Sequence, residues 1–227
     1  MKIEPSTEFR AKLLEDIATQ EFQERTGVHC SDLIYCVLKQ ALRRIHPEQP
    51  SDDTILLFSL GWATQRWLTG KDEDEPEIEL DGIKVTKDAM HNSVPWELKA
   101  SYQSSERPIE DNIAWLRQIM AQCYTTGTTE AYLSRFEIMG NWRSIFGKKD
   151  EKKLPENRKP TLGAYRLTFT KKELSTNWEW LLRRKKLFVD ILQDGKPRPR
   201  PLVLGDGTYE CQYCQFKGNL CPEEEEA

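Results

Sequence analysis

Between residues 82 and 99 the chain reads Gly82-Ile-Lys-Val-Thr-Lys-Asp88, a short polar turn, then Pro95-Trp-Glu97-Leu98-Lys99. Side chains alternate along an extended strand, so Glu97 and Lys99 share one face while Leu98 turns the other way, towards a core. If the two runs pair through the turn, Asp88 comes across from Glu97. Two carboxylates a few ångströms apart repel unless a divalent cation sits between them, and oxygen donors of this kind suit Mg²⁺ or Mn²⁺. The matching chemistry is phosphodiester hydrolysis, in which a metal ion polarises the phosphate and makes a water nucleophilic. A lysine beside that centre would position the water and stabilise negative charge in the transition state. A Glu-x-Lys tripeptide alone also describes many ordinary exposed ion pairs, so the surrounding pattern has to carry the assignment.

The second chemical feature is thiol. The cysteines are Cys30, Cys36, Cys123, Cys211, Cys214 and Cys221. In a reducing compartment clustered cysteines bind metal more often than they form disulfides. Cys211-x2-Cys214 is a tight pair suited to one metal centre, with Cys221 close behind. Three thiolates leave one position to fill, and both Cys30 and Cys36 are candidates. Six residues apart on a helix, those two face different ways, so only one is expected at the centre. Cys123 falls on an apolar helical stripe and reads as a core thiol. Four thiolates fit either Zn²⁺ or an iron–sulfur cluster. The histidines, His29, His46 and His91, are scattered, and His91 reads as a turn residue. There is no Ser-His-Asp pattern and no phosphate-binding loop.

The elements that would position these groups follow from periodicity. Residues 7–26 read as an amphipathic helix with Phe9, Leu13, Ile17 and Phe22 as its apolar positions. Residues 31–45 read as one helix, capped by Ser31 or Asp32 and stopped by His46-Pro47. A third helix spans 53–68 and ends at Gly70. Strands are expected at 77–80, 83–88 and 94–102, separated by Asp81-Gly82 and by His91-Asn92-Ser93. An Asp-Gly pair between two extended runs is a hairpin signal. A helix at 108–126 carries Ile109, Ile113, Leu116, Met120 and Cys123 on one stripe. Strands at 130–138 and 161–169 flank a Lys-, Gly- and Pro-rich loop at 140–160. Thr170 and Glu173 form a capping box before a long helix that buries Leu174, Trp178, Leu181, Leu182 and Val189. A Pro-rich basic stretch, the cysteine cluster and an acidic tail expected to be disordered follow. This order predicts an α/β fold with a mixed sheet.

The 227 residues are 38% hydrophobic and 31% charged, with a net charge of −4. That is material for one core under a well-hydrated surface. Nothing global advertises nucleic-acid binding. Local charge is uneven, with acidic runs at 72–75 and 223–226 and basic runs at 148–153, 183–186 and 196–200, each read as a solvated face. No apolar run reaches membrane-spanning length. The charged N-terminus does not resemble a signal peptide, so a cytoplasmic location is expected.

Taken together, Asp88, Glu97-Leu98-Lys99, a downstream helix bearing Gln118, an upstream Ser31-Asp-Leu-Ile-Tyr-Cys36 and the terminal Cys211-x2-Cys214-x6-Cys221 resemble the RecB-like PD-(D/E)XK nucleases that carry an iron–sulfur cluster. Within them the pattern is similar to the CRISPR-associated fourth Cas family of exonucleases, from about residue 28 to Cys221. The resemblance implies a restriction-endonuclease-like core at about 53–194. In it Asp88, Glu97 and the Leu98 carbonyl hold Mg²⁺ or Mn²⁺, with Lys99 beside them and Gln118 among the catalytic residues. It implies a cluster module at about 28–46 and 209–221 within a single domain, in which Cys36, Cys211, Cys214 and Cys221 hold [4Fe–4S], Zn²⁺ being the alternative. It implies action on single-stranded DNA ends, in CRISPR spacer acquisition alongside integrase proteins or in mobile-element DNA processing.

Two positions depart from the family pattern. Gln65 stands where a metal-binding histidine is usual, and its carbonyl is a weaker ligand; an ordinary polar helix residue is an equal reading. In the Gln-x-x-x-Tyr motif, Gln122 takes the tyrosine's slot, where an amide could contact phosphate, and Tyr124 is expected in the core. The alternative reading is a non-catalytic module that binds DNA ends or an integrase.

Overall fold

The structure is a computed structural model and describes residues 4–22, 25–70, 75–101, 108–138, 160–205, 209–212 and 214–221. The loop expected at 140–160, the acidic runs at 72–75 and 223–226 and the basic run at 148–153 lie wholly or almost wholly outside the described residues. Helices α1 (Thr7–Glu21), α2 (Cys30–Ile34), α3 (Val37–Ile45) and α4 (Asp52–Thr69) come first. Strands β1 (Ile78–Leu80), β2 (Ile83–Val85), β3 (Ala89–His91) and β4 (Val94–Ser101) follow, then α5 (Ile113–Thr126), β5 (Glu130–Glu137) and β6 (Thr161–Thr168). The chain closes with α6 (Lys171–Asp194), the short α7 (Arg200–Val203) and a 3₁₀ turn at Tyr209–Cys211.

The expected mixed α/β architecture is present. The main sheet has the order β3-β4-β5-β6. Strands β4 and β5 run parallel, joined through α5, and the outer pairings are antiparallel. The strand expected at 83–88 stops at Val85 and pairs with β1 in a separate ribbon, while a further strand, β3, forms at Ala89–His91 and pairs with β4. Both hairpin turns use left-handed backbone. Asp81 and Gly82 have φ of 50° and 67°, and Asn92 and Ser93 have φ of 50° and 63°. Such turns match the right-handed twist of the flanking strands.

One core lies beneath α2, α3, α6 and β2, with Leu33, Ile34, Leu38, Trp178, Leu181 and Phe188 at its centre. Each such side chain contributes about 1.5–3 kcal/mol by leaving water. A second core joins Ile119 and Cys123 of α5 to Ala131 and Leu133 of β5. On α6 the buried stripe is Leu174, Trp178, Leu181, Phe188 and Ile191. Phe188, rather than the expected Val189, keeps the helical spacing from Leu181. Thr170 and Glu173 form the expected capping box.

Two expectations are corrected. Phe9 and Leu13 of α1 are exposed, because α1 lies at the periphery and packs chiefly on α4; Leu14 is its buried apolar residue. The helix expected at 31–45 is two helices, broken at Tyr35 and Cys36, both extended. The first is capped by His29, whose N–H donates to Asp32 Oδ2 at 2.9 Å, not by Ser31 or Asp32.

Distant partners hold the break open. The Cys36 N–H donates to Glu210 Oε2 at 2.8 Å. Arg184 donates to the carbonyls of Leu33, Tyr35, Val203 and Leu204. So Arg184, within the basic run expected to be solvated, is buried and ties α2, α6 and α7 together. Arg184→Ala leaves those carbonyls without their donor and is expected to lower stability by about 3 kcal/mol or more, measured by urea unfolding.

Candidate active site

The β3–β4 hairpin places Ala89 opposite Trp96, which sets Asp88 across from Glu97. Asp88 Oδ2 accepts the backbone N–H of Leu98 at 2.6 Å, so the carboxylate is fastened to the strand that carries its partner. Glu97 is only 1% exposed. Its Oε1 lies 2.5 Å from Lys99 Nζ, and its Oε2 accepts from Gln122 Nε2 at 2.5 Å. Lys99 Nζ in turn donates to Gln118 Oε1 at 3.0 Å. Alternation along β4 has put Glu97 and Lys99 on one face, and helix α5 presents Gln118 and Gln122 to them from one turn apart.

The electrostatics follow from burial. Desolvation pulls the Lys99 pKa down, but the charge and hydrogen bond of Glu97, then the charge of Asp88, outweigh it, and the net shift is upward. Lys99 is therefore held as an ammonium. Cys30 is buried beside the same group, and its thiol is pushed up to about 12 by burial first and then by the charges of Glu97 and Asp32. Sequence reasoning gave Cys30 no place here. Cys30 lines the cleft of Asp88 and Gln118, whereas Cys36 lines the pocket of the other three cysteines.

Gln122 corrects an expectation. Its side chain is fully buried and therefore out of reach of a substrate phosphate. Its amide donates to Glu97 and to the carbonyl of Thr86 at 3.0 Å, linking the Glu97 carboxylate to the segment that leads to Asp88. Gln122→Leu is expected to cost about 2–3 kcal/mol, because a buried carboxylate oxygen and a carbonyl both lose their donor; chemical denaturation checks this. Tyr124, expected in the core, is partly exposed and stacks on Trp178 at 4.9 Å. His91 is exposed at the end of β3 and meets the Tyr132 ring edge-on. Cys123 is the core thiol expected.

Two clefts open on this centre. One, of about 160 Å³, is polar and is lined by Asp88, Gln118, Gln65, Arg25, Lys84 and Lys87. The other, of about 540 Å³, lies between α4 and β4 and has Lys99 and Gln65 in its wall. Gln65 thus reaches the same centre as Asp88, although α4 is remote from β3 in sequence.

The donors expected for a hard cation are two carboxylates, Asp88 and Glu97, with oxygen from the Leu98 carbonyl and the Gln65 amide; Asp88 and Gln65 line one cleft. Among the described residues no group of three or more His, Cys, Asp or Glu side chains is arranged to hold a metal ion. A set of two carboxylates completed by amide and carbonyl oxygen suits Mg²⁺ or Mn²⁺ in kind.

Cys36, Cys211, Cys214 and Cys221 line one pocket with Leu38, Leu42, Val203 and Phe216. All four are free thiols. Burial pushes Cys36 up to about 11; the backbone hydrogen bond at Lys39 opposes it, and the charges of Glu210 and Cys211 add to it by less. Burial and then Cys214 raise Cys221. The four cysteines line one pocket, but among the described residues no three of them are arranged to hold a metal ion; in type alone, four thiols suit a thiolate-bound centre.

No protein-family model matches the chain, and no curated protein matches it. Among solved structures it is similar to the crystal structure of SSO0001, with a TM-score of 0.57 and 16% identity over 94% of this chain and 95% of that one. The chain shares its fold with SSO0001. Looser likenesses are to a phage-related exonuclease from Haemophilus somnus 129PT (TM-score 0.47, 11% identity, 76% of this chain and 97% of that one). An alkaline exonuclease, LHK-Exo, from Laribacter hongkongensis gives a TM-score of 0.42 at 12% identity, over 80% and 97%. No helix among the described residues is long and apolar enough to cross a membrane.

Proposed function

We propose that the chain is a metal-dependent DNA nuclease of the PD-(D/E)XK kind, acting as an exonuclease on single-stranded DNA ends. The observation that carries this reading is the joint geometry of Glu97 and Lys99, side by side on β4, with Asp88 fastened to the same strand at Leu98. The ordered motifs around them, from Ser31 to Cys221, add support.

Asp88, Glu97, the Leu98 carbonyl and Gln65 would hold Mg²⁺ or Mn²⁺. When bound, such an ion supplies Lewis-acid polarisation of the phosphate and a water of lowered pKa. Lys99 carries a fixed positive charge to the phosphate and orients the attacking water. Gln118 holds the Lys99 ammonium at its oxygen. Gln122 holds the second oxygen of Glu97, so the carboxylate presents the one orientation that keeps Lys99 beside it. Cys36, Cys211, Cys214 and Cys221 would hold [4Fe–4S], or Zn²⁺, as a structural clasp. The nuclease core would span about 53–194, and the cysteine module 28–46 with 209–221. A place in CRISPR spacer acquisition beside integrase proteins, or in mobile-element DNA processing, follows from the motif pattern alone.

The test is a cleavage assay on end-labelled single-stranded and duplex DNA with Mg²⁺ or Mn²⁺. Stepwise shortening of the single strand is expected, and it should stop when EDTA is added. DNA binding without cleavage under either metal would instead assign a non-catalytic end-binding role.

A further inference from the structure

We propose that the cleft between α4 and β4 is a stacking subsite for the unpaired nucleobase next to the scissile phosphate; the proposal rests on the nuclease reading of Lys99. The cleft, of about 540 Å³, is lined by Leu57, Phe58, Leu60, Trp62, Gln65 and Lys99, among others. Its character changes along its length. The α4 side is apolar and aromatic, and large side chains there meet solvent: Leu57 is 59% exposed and Phe58 53%. The β4 side brings the Lys99 ammonium, and α4 adds the Gln65 amide; both line the clefts already described.

A ligand that fills such a space has a flat apolar face and an anion at one end. One nucleotide of a single strand has both, its base over the ring of Phe58 and its phosphate at Lys99. A paired duplex keeps its bases stacked within the helix and presents phosphates alone. Continuity with the catalytic lysine therefore selects an unpaired nucleotide over an apolar partner helix, which would cover the polar groups of Lys99 and Gln65 with apolar side chains.

The rings are braced for this role. Phe58 and Trp62 lie 5.8 Å apart, and Phe22 meets each edge-on, at 6.0 and 5.2 Å. Rings held by one another lose little freedom when a base stacks on them. Stacking one base on an aromatic side chain tolerates any sequence and changes affinity by about fivefold to a hundredfold.

The experiment measures binding by the full-length protein in EDTA, so that no strand is cut. The probes are a labelled oligothymidylate and an abasic strand of the same length and charge. The wild type is expected to bind the oligothymidylate at least about fivefold more tightly. Phe58→Ala should abolish that preference and leave the abasic affinity and its salt dependence unchanged. Phe58→Leu, which keeps an apolar side chain against Phe22 and Trp62 but removes the ring, should abolish it too, while Phe58→Trp retains it. Equal binding of the two strands by the wild type, or a preference that survives Phe58→Leu, overturns the subsite even if metal-dependent cleavage is intact. Failure to bind either strand overturns the nucleic-acid reading and the subsite with it.

Discussion

Lys99→Ala is expected to reduce metal-dependent cleavage of single-stranded DNA by about 10²–10³-fold or more, the usual effect of deleting a preorganised donor aimed at developing charge. It should also destabilise the fold. Glu97 is 1% exposed, and its Oε1 has Lys99 as its ammonium partner at 2.5 Å. Removing one partner of a buried pair strands the other charge at a cost of about 3–5 kcal/mol. Because the Lys99 side chain is 20% exposed, water relieves part of that cost, and about 3 kcal/mol is expected. Loss of activity by itself would thus be ambiguous, and the second variant resolves it. Pairing Lys99→Met with Glu97→Gln removes both charges and leaves the Gln122 contact in place. The double variant should recover most of the lost stability in urea unfolding and remain without activity. Lys99→Arg keeps the charge but replaces a point ammonium with a planar fork, so it should fold and cut at least about tenfold more slowly. A fully active Lys99→Ala protein would remove Lys99 from the chemistry and with it the proposed site.

How much of this was legible beforehand depends on the range of the interactions concerned. The hairpin that sets Asp88 against Glu97 is local. Asn92 and Ser93 tolerate the left-handed backbone the turn requires, and strand alternation then puts Glu97 and Lys99 on one face. The capping box at Thr170 and Glu173 is equally local. The break at Tyr35 and Cys36 is not. It exists because Arg184 and Glu210, the latter 174 residues away in sequence, take up the backbone groups that a continuous helix would have used. No periodicity near residue 35 announces this. Gln122 falls between the two cases. Its spacing from Gln118 located it on the right face, but its buried bond to Glu97 needed the depth of α5 against β4, which a helical wheel does not contain. The apolar residues of α1 misled for a related reason. Periodicity reports a stripe without saying what covers it, and Phe9 and Leu13 remain at the surface.

The cysteine module should show the second large effect. Protein purified anaerobically is expected to be brown and to contain iron and acid-labile sulfide; colourless protein carrying zinc would replace the iron–sulfur reading with a zinc site of the same four ligands. In either case the centre acts on a weakly held part of the fold. The segment from Tyr209 to Cys221 is short of regular structure. Its described attachments to the body include the Glu210 bond to the Cys36 N–H, the Gln215 bond to Glu48 at 2.8 Å and the burial of Phe216. A thiolate-bound centre spanning Cys36 and Cys211 closes nearly the whole chain into one loop, and the binding energy of such a centre is folding energy. Cys214→Ser together with Cys221→Ser should therefore release the metal and lower the melting temperature by at least about 10 °C, equivalent to a few kcal/mol in a domain of this size. The consequence for catalysis is indirect and testable in the same preparation. Cys36 lies in the break itself, and α2, which leads into it, begins at Cys30 in the wall of the cleft that holds Asp88. Loosening the clasp should lower cleavage through that path while leaving its metal dependence unchanged. If the serine variants keep both the bound metal and the melting temperature of the wild type, these thiols hold no centre.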